Sequence, residues 1–176
     1  MPDENGKLHL FEAIELRNSY DRHIKLLEQV FADRPAATGG LFRHDEEERE
    51  PSEGVELKNI EARLKKLQTK RVKLNQAIQI ANFQHHIAFQ GDEVTLSEAL
   101  ELRKNMLADL AAMAQRVENS AYKRIIHKEE RDIVHEPRHA FQQSYDEYLK
   151  LLSAFRSLVT AIHRANHGVV VNFKDE

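Results

Sequence analysis

Leu96-Ser97-Glu98-Ala99-Leu100-Glu101-Leu102-Arg103 decides the fold, because the chain has already used it once. At an offset of 86 residues stands Leu10-Phe11-Glu12-Ala13-Ile14-Glu15-Leu16-Arg17, which differs only at Phe11/Ser97 and, mildly, at Ile14/Leu100. Near the far end of each copy the offset is 84. Ala77-Ile78 falls on Ala161-Ile162, and Ala81-Asn82 on Ala165-Asn166. The match runs on, with Ile87 on Val171 and Phe89 on Phe173. Because the two offsets differ, the middle linkers differ in length. Each copy reads helix, variable linker, helix, Ala-Asn, short extended segment. Repeat 1 covers about 8–90 and repeat 2 about 94–174, within a single helical domain 1–176.

Apolar spacing places four helices. The first, His9 to Asp33, carries Leu10, Ala13, Tyr20, Ile24, Leu27 and Phe31 on one stripe, with Arg17 filling the gap. The second, Val55 to Asn82, carries Ile60, Leu64, Leu67, Arg71, Leu74, Ile78 and Ala81. At 1.5 Å per residue it is about 40 Å long. The third starts near Thr95, where Thr95 and Glu98 fit a capping box. Its seam is Leu96, Ala99, Arg103, Met106, Leu110, Met113 and Val117. The fourth is placed from Pro137, a residue favoured at the first helical position. Its seam is Tyr148, Leu151, Phe155, Leu158, Ile162 and Ala165, and Asn166 and Gly168 are its stop residues. Glu118 to Glu136 mixes Ile125-Ile126 and Ile133-Val134 with charges and takes no firm assignment.

A hairpin with one apolar stripe cannot bury that stripe alone. Two such hairpins packed face to face bury both, so the expected class is all-α, an antiparallel four-helix bundle. The extended segments, His85 to Phe89 and Gly168 to Phe173, occupy equivalent places and are expected to pair with each other as a small β-ribbon. Between the first two helices, about 34–54, the chain turns to Pro, Gly and Ala. An acidic run, Asp45 to Glu50, follows, and the whole reads as an exposed linker.

Composition narrows the function. The formal net charge is −3 over 176 residues, which gives no basic signature for nucleic acid. The charged fraction of 31% and the scarcity of Gly and Pro suit solvated helices. Cysteine is absent, so no disulfide or thiolate site exists. No secretory signal or membrane-spanning run is read, and the expected location is cytoplasmic.

Arg17 and Arg103 stand at equivalent seam positions where an apolar residue is expected. A buried arginine is costly unless paired. Glu12, Glu15, Glu98, Glu101, Asn82 and Asn166 are the candidate partners, because an antiparallel hairpin brings helix starts and ends together. Two readings stay open: a polar layer that fixes register, and an anion or carboxylate site framed by Arg17 and Arg103 with Glu12, Glu98, Asn82 and Asn166.

Two other features draw the eye. His135-Glu136-Pro137-Arg138-His139 spells the zinc-protease pattern H-E-x-x-H, which needs both histidines on one helix face. Pro137 disfavours that helix, and no third ligand is evident. His85-His86 and His163/His167 are the remaining pairs, and since His163 falls on Gln79 and His167 on Phe83, the repeat preserves no ligand set. No metal or other cofactor is expected. There is no P-loop, dinucleotide fingerprint or G-x-S-x-G elbow, and no catalytic set is assigned.

The Leu96–Arg103 run follows a helix ending Ile80-Ala81-Asn82 and a Gly91-Asp92 turn. In this combination the chain resembles the septicolysin-like family, small bacterial helical proteins mostly of unknown function. The resemblance covers most of the chain except the acidic linker and Glu118 to Glu136. It departs at Ala81, where a polar residue is expected, and at Lys104, where the family tends to have Asp. It implies a helical fold and transfers no catalytic residue. The expected function is helix-mediated association with a second copy or a protein partner, without nucleic acid or membrane. The alternatives are a ligand-binding protein or enzyme using the paired arginines, and a membrane-active toxin of the kind the family name suggests.

Overall fold

A computed structural model describes residues 7–32, 52–129 and 131–175. Most of the acidic linker, 34–51, lies outside the described residues. The chain is mostly helical and runs β1 (Lys7–His9), α1 (Leu10–Ala32), α2 (Leu57–Gln84), β2 (His86–Phe89), β3 (Asp92–Thr95), α3 (Leu96–Ala121), β4 (Arg124–His127), β5 (Asp132–His135), α4 (Phe141–Gly168) and β6 (Val170–Asn172). It divides into two compact units, Met1–Ala81 with Val169–Glu176, and Asn82–Gly168.

In the first unit, Leu10, Ala13 and Tyr20 of the α1 seam and Leu74, Ile78 and Ala81 of the α2 seam are buried, whereas Ile24, Leu27, Phe31, Ile60, Leu64 and Leu67 are half-buried. Side-chain bonds tie the two helices in antiparallel sense, from Arg71 Nε to Asp21 Oδ1 at 2.9 Å and from Gln68 to Glu28 at 3.3 Å. Arg71 is the seam arginine that finds a carboxylate here. The C-terminal residues close over this unit. Val169, Val171 and Phe173 are buried, and Asp175 accepts from the Tyr20 hydroxyl at 2.5 Å and from Lys70 Nζ at 2.7 Å. The Lys70 bond and then the Tyr20 bond hold the Asp175 carboxyl below its usual range. Burial, then the Asp175 bond, pushes the Tyr20 hydroxyl up.

The second unit repeats the plan. Leu96, Ala99, Leu110, Leu158 and Ile162 are buried between α3 and α4. The capping box at Thr95 is present: Glu98 N donates to Thr95 Oγ1 at 3.1 Å and Thr95 N to Glu98 Oε2 at 2.8 Å. The first copy reproduces half of it, His9 N donating to Glu12 Oε2 at 2.7 Å.

Three antiparallel strand pairs accompany the helices, and they correct the expected ribbon. β2 and β6 do not pair with each other. β2 pairs with β3, Ile87 opposite Val94, and β6 pairs with β1, Leu8 opposite Val171. The two pairs are equivalent under the repeat. Each is sealed at the helix start by an equivalent bond, Leu96 N to His85 O at 2.9 Å and Leu10 N to Val169 O at 2.8 Å. The residues before each helix thus form strands that their polar sequences concealed. For β2 the nearest partner also costs least in loop closure, since Gln90-Gly91 alone turns the chain.

That turn has positive φ at both central residues, 53° at Gln90 and 96° at Gly91. This is the type I′ geometry that matches strand twist and favours Asn-Gly. Gln90 bears the steric cost of the left-handed region. Gln90→Asn is therefore expected to stabilise the chain by up to about 1 kcal/mol. A denaturant midpoint that stays put or falls would contradict the assignment.

The fourth helix also needs correcting. It begins at Phe141, not at Pro137. β5 runs extended to His135, and a proline at 137 biases Glu136 to stay extended. The first helical turn closes later, where Ser144 N donates to the Ala140 carbonyl at 3.1 Å. His135 is therefore on a strand and His139 in a bend, so the H-E-x-x-H run has no helix to present it. Among the described residues no three His, Cys, Asp or Glu gather as a metal site. The unassigned stretch resolves into the end of α3 and the β4–β5 hairpin, Ile125 opposite Val134 and Ile126 opposite Ile133.

Candidate functional site

The six residues read as a possible arginine-framed site are split between the units. Glu12 and Arg17 lie in the first, and Asn82, Glu98, Arg103 and Asn166 in the second. Among the described residues of each unit, no hydrogen bond or ion pair joins Glu12 to Arg17, or any two of Asn82, Glu98, Arg103 and Asn166. Glu12 and Glu98 are engaged with the backbone at helix starts, and the Thr95 bonds, backbone first, hold the Glu98 carboxyl below its usual range. Arg17 is half-buried and reaches Asn18 Oδ1 at 3.5 Å, a long contact. Arg103 is exposed, so its place in the seam carries no burial cost. Asn82 and Asn166 are half-buried.

A different constellation forms in the second unit. The last turns of α3, the start of β4 and the segment from β5 to α4 enclose an open cleft of about 670 Å³. Arg116, Arg124, His135, Glu136, Arg138 and His139 supply its charged and titratable lining. With both histidines neutral, three arginines face one carboxylate, in a chain whose overall charge is −3.

Each cation is positioned differently. Arg116 projects from α3 toward α4, where its Nη1 meets Glu147 at 2.8 Å and its Nε donates to the Ser144 hydroxyl at 3.3 Å. Ser144 is fully buried and donates in turn to the Ala140 carbonyl at 3.0 Å. The Gln143 bond and then Arg116 hold the Glu147 carboxyl below its usual range. Arg116 is therefore a fixed, paired wall of the cleft. Arg124 and His135 are register partners on β4 and β5, so they emerge side by side on one hairpin face. Arg138 follows on the segment leading into α4. Among the described residues neither Arg124 nor Arg138 has an ion-pair partner. The H-E-x-x-H run was thus the sequence signal for this place, although its spacing spells only a metal pattern that Pro137 disfavours. The contributions of Arg116 and Arg124 had no signal, because only the hairpin brings them to it.

The same unit exposes an apolar ridge. Phe141, Tyr145 and Leu149 occupy successive turns of α4 and are 41–45% exposed. The rings of Phe141 and Tyr145 stack with centroids 5.9 Å apart. In the first unit, Val72 and Ile80 on α2 are exposed, whereas Leu102 and Leu152 in the second are half-buried.

No family model matches the chain, and no curated protein matches it. Among solved structures it is similar to a functionally unknown conserved protein from Corynebacterium diphtheriae. The TM-score is 0.68 and the identity 19%, with 94% of this chain and 99% of that one covered. At that identity the likeness shows a shared fold.

Proposed function

We propose that the chain is a non-enzymatic protein that works by association through its helix faces, with a second copy as its partner. The Phe141–Tyr145–Leu149 ridge carries this reading. Its residues are spaced four apart, so it is an i±4 ridge of the kind that packs into the groove of a like helix. Two such ridges meeting at Tyr145 are self-complementary, as a two-fold interface requires. Aromatic anchors of this type supply much of the energy of protein interfaces. The antiparallel four-helix bundle, the cytoplasmic location and the septicolysin-like resemblance belong to the same reading.

Sedimentation equilibrium of the full chain tests it. The expected mass exceeds the 20.4 kDa of one chain and falls to one chain in Tyr145→Glu/Leu149→Glu. The expected loss of self-affinity is tenfold or more, roughly 1.4 kcal/mol. A wild-type monomer at all concentrations overturns the proposal. The membrane-active alternative makes the opposite forecast, release of dye from loaded vesicles. Among the described residues no helix is long and apolar enough to cross a membrane.

A further inference from the structure

We infer that the cleft between the end of α3, the β4–β5 hairpin and the start of α4 binds a phosphate-bearing small molecule carrying more than one negative charge. The argument begins with placement. Arg124 and His135 sit directly opposite one another on neighbouring strands. Arg124 brings a fixed positive charge to that face and the His135 ring an N–H donor, and both favour an anion beside them. Arg138 adds a second fixed positive charge on the segment that enters α4.

Arg116 distinguishes this place from a merely basic surface. Glu147 and Ser144 hold its guanidinium in one orientation, so one wall is built before any ligand arrives. Arg124 and Arg138 are left over as fork-shaped donors, and guanidinium groups match phosphate oxygens in pairs. They come from two separate elements, β4 and the β5–α4 segment, so one compact carboxylate suits them less well than a ligand with several oxygen-rich groups. A cleft of about 670 Å³ is within the size range of small-molecule sites. Glu136 is the single carboxylate in the lining and opposes a bound anion, so the arginine charges have to outweigh it.

The probe is pyrophosphate, titrated calorimetrically into the full chain at low ionic strength. Orthophosphate and a nucleoside triphosphate serve as parallel arms that separate a free phosphate source from a nucleotide one. Saturable binding at one site per chain is expected, weakened tenfold or more by Arg124→Gln and again by Arg138→Gln. Both residues are exposed, so these variants should keep the wild-type thermal midpoint, measured alongside by circular dichroism. Lys104→Gln, on the exposed face of α3 away from the cleft lining, should leave affinity unchanged. Absence of binding, equal weakening by Lys104→Gln, or binding untouched by both arginine substitutions overturns the inference. Equally tight binding of double-stranded DNA also overturns it, because that result marks a general polyanion surface. The ridge proposal stands apart, since pyrophosphate binding and self-association are read out separately.

Discussion

A chain ending at Gly168 is expected to lose the amide protection of β1 and of the first turns of α1. The residues removed include Val169, Val171 and Phe173, all buried in the first unit. Each contributes roughly 1.5–3 kcal/mol through burial, so the three together contribute on the order of 5–9 kcal/mol, comparable with the whole stability of an ordinary domain. The truncation also strips β1 of its register partners, frees the Leu10 amide and leaves Tyr20 and Lys70 without Asp175. Hydrogen exchange on the truncated chain measures the effect residue by residue. Amides of α1 that remain as slow as in the full chain would show that the tail is ornamental to this unit.

Leu158→Ala strikes the second unit in a different way. Leu158 has no exposed surface and sits mid-helix in α4, in the same buried set as Ile162, Leu96 and Leu110. Removing its branched end costs about 2–5 kcal/mol, the spread reflecting how far α3 and α4 can close on the void. Leu149→Ala, on the exposed ridge of the same helix, is the control and should change the monomer's stability by about 0.5 kcal/mol or less. Urea denaturation of both variants measures the contrast. Equal midpoints for the two would contradict the packing described for α4.

These expectations also show where the sequence was transparent. Seams spaced three and four apart named Leu10, Leu74, Leu96 and Leu158, and burial found them inside, because helix periodicity persists over many turns and averages out exceptions. The Thr95–Glu98 box was readable because both of its bonds lie within four residues. The strands were opaque for the opposite reason. β1 is three residues long and β3 is Asp92-Glu93-Val94-Thr95, too short and too charged for alternation to emerge. Their pairing depends on partners 161–165 residues away in one case and next door in the other. The β4–β5 hairpin hid behind apolar doublets, which put one residue on each face rather than alternating.

The arginines teach a narrower lesson. Occupying a seam position does not bury a side chain: Arg103 is exposed, Arg17 is half-buried, and Arg71 meets Asp21. A long side chain can leave an apolar stripe while its helix stays in register. The cleft escaped the sequence reading because its arginines are spread from residue 116 to residue 138. Only the reversal at the β4–β5 hairpin converts that spread into proximity.

The equivalence of the two strand pairs bears on the order of the chain itself. Phe173 stands where Phe89 stands, and Lys7 where Glu93 stands, yet one junction is a covalent turn and the other a gap between strand ends. A linker of the length of Gln90–Asp92 across that gap would make β6 and β1 a hairpin like β2 and β3. The sequence of elements would then close on itself. The two strand pairs are interchangeable corners of one repeated plan, one joined by a turn and the other by pairing alone.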